Sequence, residues 1–150
     1  KIHSLYSEYL TEEKTLFLPV DQGEAAAIAL ARVTGAVSLL TDDTKIYGPH
    51  YTLIRRPDVQ IIPLAYYEMI ILACIVGKCT VDGAIEIFEA VRNGSPDQNF
   101  TFISKLRKFV SRFIHEPVKK EEKVWFDDFC RDCNVASPKR KLRELKNKLE

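Results

Sequence analysis

The stretch from Asp21 to Leu40 constrains the fold more than any other part of the chain. Its alanine-rich centre, Ala25 to Ala31, has the strongest helix propensity in the sequence. Gly35 follows where a helix ends in a left-handed residue, a conformation glycine adopts without steric cost. Next comes Ala36-Val37-Ser38-Leu39-Leu40, short and apolar enough to be a buried strand. At the other end, Asp21 with Glu24 three positions later has the pattern of a capping box. A helix feeding straight into a short apolar strand points to parallel strands covered by helices.

The pattern continues downstream. Val59-Gln60-Ile61-Ile62-Pro63 reads as a second short strand, and Ala65 to Val76 as a mostly buried helix stopped at Gly77. Thr80 is placed to cap a helix from Val81 to Arg92, closed by Asn93-Gly94. Before Asp21 the signal is weaker, and Leu16 to Val20 is expected to be a short strand or an extended lead-in, with Pro19 favouring an edge or an end.

After Ser95-Pro96 the composition changes. Phe102, Leu106, Phe109, Val110 and Phe113 recur at helical spacing among basic residues. A helix is expected around Val124 to Cys130, and Ser137-Pro138 opens a charged one, Lys139 to Leu149. The expected organisation is an α/β domain over 1–100 and a basic helical extension over 101–150. Residues 1–100 carry 8 Lys/Arg against 13 Asp/Glu, whereas residues 101–150 carry 14 against 8. That asymmetry suits a metal site beside a polyanion-binding surface, and equally a solvated helical surface.

Several classes are excluded. The longest apolar stretch, Met69 to Val76, falls well short of the roughly 20 residues a membrane span needs. No apolar h-region follows Lys1-Ile2-His3-Ser4, so those residues do not resemble a signal peptide. Cys130 and Cys133 form a lone CxxC without the second ligand pair a structural zinc site requires. A reduced, cytoplasmic chain is the expectation.

The candidate chemistry lies with Glu24 and the Asp42-Asp43 pair. Glu24 opens a helix, and the Asp pair lies just past the carboxyl end of the following strand, where open α/β sheets place their ligand sites. Carboxylates converging there repel one another unless a cation intervenes, and hard oxygen donors suit Mg²⁺ or Mn²⁺. The same residues also have local readings, Glu24 as part of a cap and the Asp pair as a solvated turn. In the basic half, Lys105, Lys108 and Arg112 are candidates for phosphate contact. Phe109, Phe113 and Trp125 either stack on bases or belong to the core. His50 and His115 receive no role.

The run Asp21-Gln22-Gly23-Glu24-Ala25-Ala26-Ala27-Ile28-Ala29-Leu30-Ala31, then Gly35, then Leu39-Leu40-Thr41-Asp42-Asp43, closely resembles the later half of PIN domains. It looks most like the prokaryotic branch with a Gly-Glu-Ala helix start and an Asp-Asp strand end. Val59 to Pro63, Tyr67 to Lys78 and Val81 to Arg92 resemble the elements that follow in that branch, so the likeness covers about Leu16 to Leu106. It implies a metal-dependent ribonuclease fold, often the toxin of a toxin–antitoxin pair. Glu24 matches the third acidic site of the family, Asp43 the fourth with Asp42 as its close substitute, and Thr41 the hydroxyl residue beside them. The chain departs from the family in lacking the first strand, with its catalytic Asp, and the helices that follow it. Glu8, Glu12 and Glu13 are the acids available in their stead. The resemblance implies RNA as substrate. It leaves three readings: the N-terminal half is missing from this sequence, a protein partner or second copy supplies it and completes the sheet, or the chain is an inactive interaction module on the same scaffold.

Overall fold

In the computed structural model, residues 1–17, 21–42, 44–95, 99–115, 117 and 119–150 are described. They form two compact units, Lys1–Ala65 and Tyr66–Glu150. The first is a small α/β unit and the second is helical. Packing thus divides the chain elsewhere than the change of composition near residue 100 does, because the helices over 66–93 pack on those that follow them.

The first unit contains α1 (Ile2–Lys14), α2 (Gln22–Thr34), β1 (Ser38–Leu40), α3 (Pro49–Arg55) and β2 (Ile62–Leu64). In α2 the expected left-handed stop is present: Gly35 has φ 68°, and its N–H is bonded to the carbonyls of Ala31 and Arg32. The capping box does not form. Asp21 occupies the N-cap position without a side-chain cap hydrogen bond, which leaves Glu24 without that local role.

β1 and β2 pair in parallel, with Ser38 opposite Ile62 and Leu40 opposite Leu64. Two further bonds extend the ladder, Ile62 N–H to the Val37 carbonyl at 3.0 Å and Thr41 N–H to the Leu64 carbonyl at 2.9 Å. Ile62 and Leu64 therefore direct their backbone groups towards β1. Pro63, which has no N–H to offer, faces the other edge, where proline is tolerated. The second strand begins three residues later than the sequence pattern indicates, since Val59 and Ile61 enter the core ahead of it. Ile28 and Ala25 of α2 meet Leu53, Val59, Ile61 and Phe17 in that core. Leu16 and Phe17 follow the end of α1 rather than forming a strand, and the rest of the expected segment, Leu18 to Val20, lies outside the described residues.

The second unit contains α4 (Tyr66–Ile75), α5 (Val81–Asn93), α6 (Phe102–Val110), a π-helical turn (Ser111–His115), α7 (Lys120–Asp132) and α8 (Pro138–Leu149). Its boundaries follow local chemistry closely. Gly77 takes φ 75° after α4. The Thr80 hydroxyl accepts from Gly83 N–H at 3.1 Å, and the Ser137 hydroxyl accepts from Arg140 N–H at 3.4 Å. The core is aromatic, with Phe88 stacked on Phe102 at 4.4 Å between centroids and Phe109 against Phe113 at 4.8 Å. Phe109 and Phe113 are fully buried, so they pack rather than stack on bases. Among the described residues no helix is long and apolar enough to cross a membrane.

Candidate functional site

Glu24 stands in the first turn of α2, and Thr41 directly follows β1. Both line one concavity of about 240 Å³, together with Gly23, Leu39, Leu40 and Pro49. The path from sequence to site is short. The helix–glycine–strand unit folds α2 back along β1, which brings the start of the helix level with the carboxyl end of the strand. Pro49, at the first turn of α3, closes the third side.

The Glu24 carboxylate is half-buried and, among the described residues, takes part in no ion pair or side-chain hydrogen bond. It also lies at the positive end of the α2 dipole, which favours a negative charge there. Asp42 is exposed and next in sequence to Thr41. Asp43 lies outside the described residues. Among the described residues, no three His, Cys, Asp or Glu side chains form a group able to hold a metal ion. The Glu24 carboxylate and the Thr41 hydroxyl supply oxygen atoms to the concavity, the hard donor chemistry that Mg²⁺ and Mn²⁺ prefer.

Glu12 and Glu13 do not join them. The Glu13 carboxylate is fully buried and binds Arg32 Nη1 through Oε1 at 2.7 Å and Arg56 Nη1 through Oε2 at 2.6 Å. Glu12 also pairs with Arg32. Arg32 lies eight positions after Glu24 on α2, about 12 Å along the helix axis. These acids are therefore bound at the opposite end of α2 from the concavity. Glu8 is exposed on α1.

The three basic candidates of the second unit separate. Lys108 is exposed. Lys105 is half-buried, with its ammonium 4.8 Å from the Tyr67 ring centroid and 4.7 Å from that of Phe100, a cation–π arrangement that favours a charge lodged between rings. Arg112 is only 9% exposed. Its Nη1 bonds both oxygens of Glu68, at 2.8 and 2.9 Å, and its Nε bonds Glu122 Oε1 at 3.1 Å. A guanidinium clamped by two buried carboxylates is not offered to a phosphate. A straight α-helical periodicity sets Arg112 to one side of the Phe102–Phe113 stripe. The wider π turn at 111–115 instead buries Arg112 and Phe113 together.

One feature of the second unit goes beyond the motifs singled out from sequence, a cavity of about 660 Å³ between α6 and α8. Its signal is nevertheless present there: Lys139, Arg143 and Lys146 recur at helical spacing, and Ile103, Val110 and Ile114 do the same.

The chain thus joins a small parallel α/β unit, acidic at the carboxyl end of its first strand, to a helical unit with a basic groove. No family model matches the chain, and neither a curated protein nor a solved structure matches it. The expected resemblance to PIN domains therefore stands on the sequence alone.

Proposed function

We propose that the first unit is a PIN-like, divalent-cation-dependent ribonuclease module, with Glu24, Asp42 and Asp43 as metal-holding carboxylates and Thr41 beside them. The observation that carries this reading is the shared concavity of Glu24 and Thr41 at the carboxyl end of β1, with the Glu24 carboxylate uncommitted to any neighbour among the described residues. A Mg²⁺ or Mn²⁺ ion, when bound, would supply an activated water and a positive charge for a phosphodiester oxygen. Glu24 fixes one side of the site from a rigid helix turn. In this reading Asp42 and Asp43, the residues that follow Thr41 in sequence, complete the ligand set. The Thr41 hydroxyl orients a water or a phosphate oxygen between them.

The test is thermal. A cation that binds the folded state alone raises the melting temperature by mass action. Saturating Mn²⁺ is expected to raise Tm by about 5 °C, and Glu24→Gln with Asp43→Asn to abolish the rise. A shift that survives the double substitution places the cation elsewhere and ends the proposal.

A second reading has its own support. Glu12 and Glu13, two of the three acids of α1, are consumed by Arg32 and Arg56. A site left with three carboxylates fits a PIN-like scaffold that binds RNA or a protein without cleaving. Metal-dependent degradation of an RNA by purified protein, lost in Glu24→Gln, would count against this reading. Salt-sensitive binding without cleavage would support it.

A further inference from the structure

We propose that the groove between α6 and α8 docks an acidic amphipathic helix from a partner protein. The floor is aliphatic. Ile103, Leu106, Val110 and Ile114 fall on one face of α6 and its π-helical continuation, and Leu142 faces them from α8. The rim is basic, with Arg107 and His115 on one side and Lys139, Arg143 and Lys146 on the other. Among the described residues, no acidic side chain and no phenyl or indole ring lines the groove.

Charge complementarity selects the occupant. Glu144, the acid within α8, is taken up by Arg140 and Lys141. Among the described residues Lys139 and Arg143 have no ion-pair partner. At the far end Glu150 reaches cations on both walls, 3.9 Å from Arg107 Nη2 and 3.5 Å from Lys146 Nζ. These are exposed pairs of little intrinsic strength, which an incoming carboxylate can replace. The occupant therefore presents acids along both flanks and an apolar stripe between them.

Size and lining favour a helix over a nucleic acid. From Ile103 to Ile114 the floor runs about 17 Å, enough for about three turns of a docked helix with anchors at helical spacing. Single-stranded nucleic acid gains its affinity from stacking on aromatic faces. In this unit Phe88, Phe102, Phe109, Phe113 and Phe126 are turned into the core, and no phenyl or indole ring is among the described residues that line the groove.

The groove belongs to the second unit alone, so its test stands apart from that of the metal site. A displayed library of random peptides about 16 residues long is selected against the full chain. Enriched sequences are expected to carry Leu, Ile or Phe at helical spacing flanked by Asp and Glu. A synthesised representative should lose about tenfold or more in affinity against Lys139→Glu with Arg143→Glu, both exposed positions whose reversal inverts the rim charge. Its affinity for the unaltered chain should also fall as salt rises. Several results overturn the proposal: no enrichment, enrichment of basic or uncharged sequences, binding unchanged in the double variant while its melting curve is native, or displacement of the peptide by oligouridine or by laurate at equal concentration.

Discussion

Glu13 Oε2 accepts a 2.6 Å hydrogen bond from Arg56 Nη1 across 43 positions of sequence. Its other oxygen accepts from Arg32, so one fully buried carboxylate ties α1, α2 and the approach to β2. Removing one member of a buried pair leaves the rest uncompensated, which costs far more than losing an exposed pair. Glu13→Ala is expected to lower the free energy of unfolding by about 3 kcal/mol in urea titrations. Glu12→Ala, at a half-exposed side chain, should cost less than about 1 kcal/mol. Equal effects would show that the buried carboxylate does not organise the unit.

Asp58 gives this network a pH dependence. The hydrogen bonds from Arg56 hold its carboxyl below the usual Asp value of 3.8. Because the folded form ionises more readily than the unfolded one, the contribution is present above pH ~4 and is lost as the pH falls through the depressed value. Asp58→Asn should therefore flatten the loss of stability below pH ~4 and leave the profile near neutrality unchanged in slope. An unaltered acid limb, read from urea midpoints at a series of pH values, would rule the pairing out as its source.

Arg112 is the counterpart in the second unit. Arg112→Leu removes the counter-charge that Glu68 and Glu122 share in the interior and should cost about 4 kcal/mol. Lys108→Ala, four residues away on the exposed side of α6, should stay within about 0.5 kcal/mol. Replacing all three buried charges together, by Arg112→Leu, Glu68→Leu and Glu122→Leu, should recover part of the loss, because no charge remains to be desolvated. If the triple variant is less stable than Arg112→Leu alone, the network contributes more than mutual neutralisation.

The two thiols of the CxxC differ. Burial first, and then the Asp127 charge, push the Cys130 thiol up to about 11, while Cys133 is exposed. The thiolate is the reactive form. Iodoacetamide at pH ~8 is expected to modify Cys133 and spare Cys130, as mass spectrometry of the peptides would show. Equal labelling of both would mean that α7 opens at that end.

Most helix and strand positions were legible because their signals are local. Gly35 and Gly77 take the left-handed conformation that only glycine adopts cheaply, and Thr80 and Ser137 cap within three residues. α1 was not legible. Tyr6, Tyr9, Leu10 and Phe17 follow helical spacing, but Glu13 stands in the same stripe and breaks its apolar character. α3 is short, seven residues, with Gly48-Pro49 as its main cue.

The candidate site was partly legible. Glu24 and Thr41 come together as the helix–strand unit implies, whereas the capping box of Asp21 and Glu24 is not formed. A capping box requires a particular N-cap backbone, and Asp21 has φ −105° and ψ 29°, outside the extended region in which such caps form.

By itself the sequence determined most of the helices from α2 onward and that the two strands run parallel, since caps, glycines and apolar runs act over a few residues. Tertiary structure alone decided which charges are interior. Glu13 and Arg56, or Arg112 and Glu68, find each other across more than forty residues. A charge can be buried only where an opposite one is delivered to it, and that delivery is a property of packing rather than of any local run.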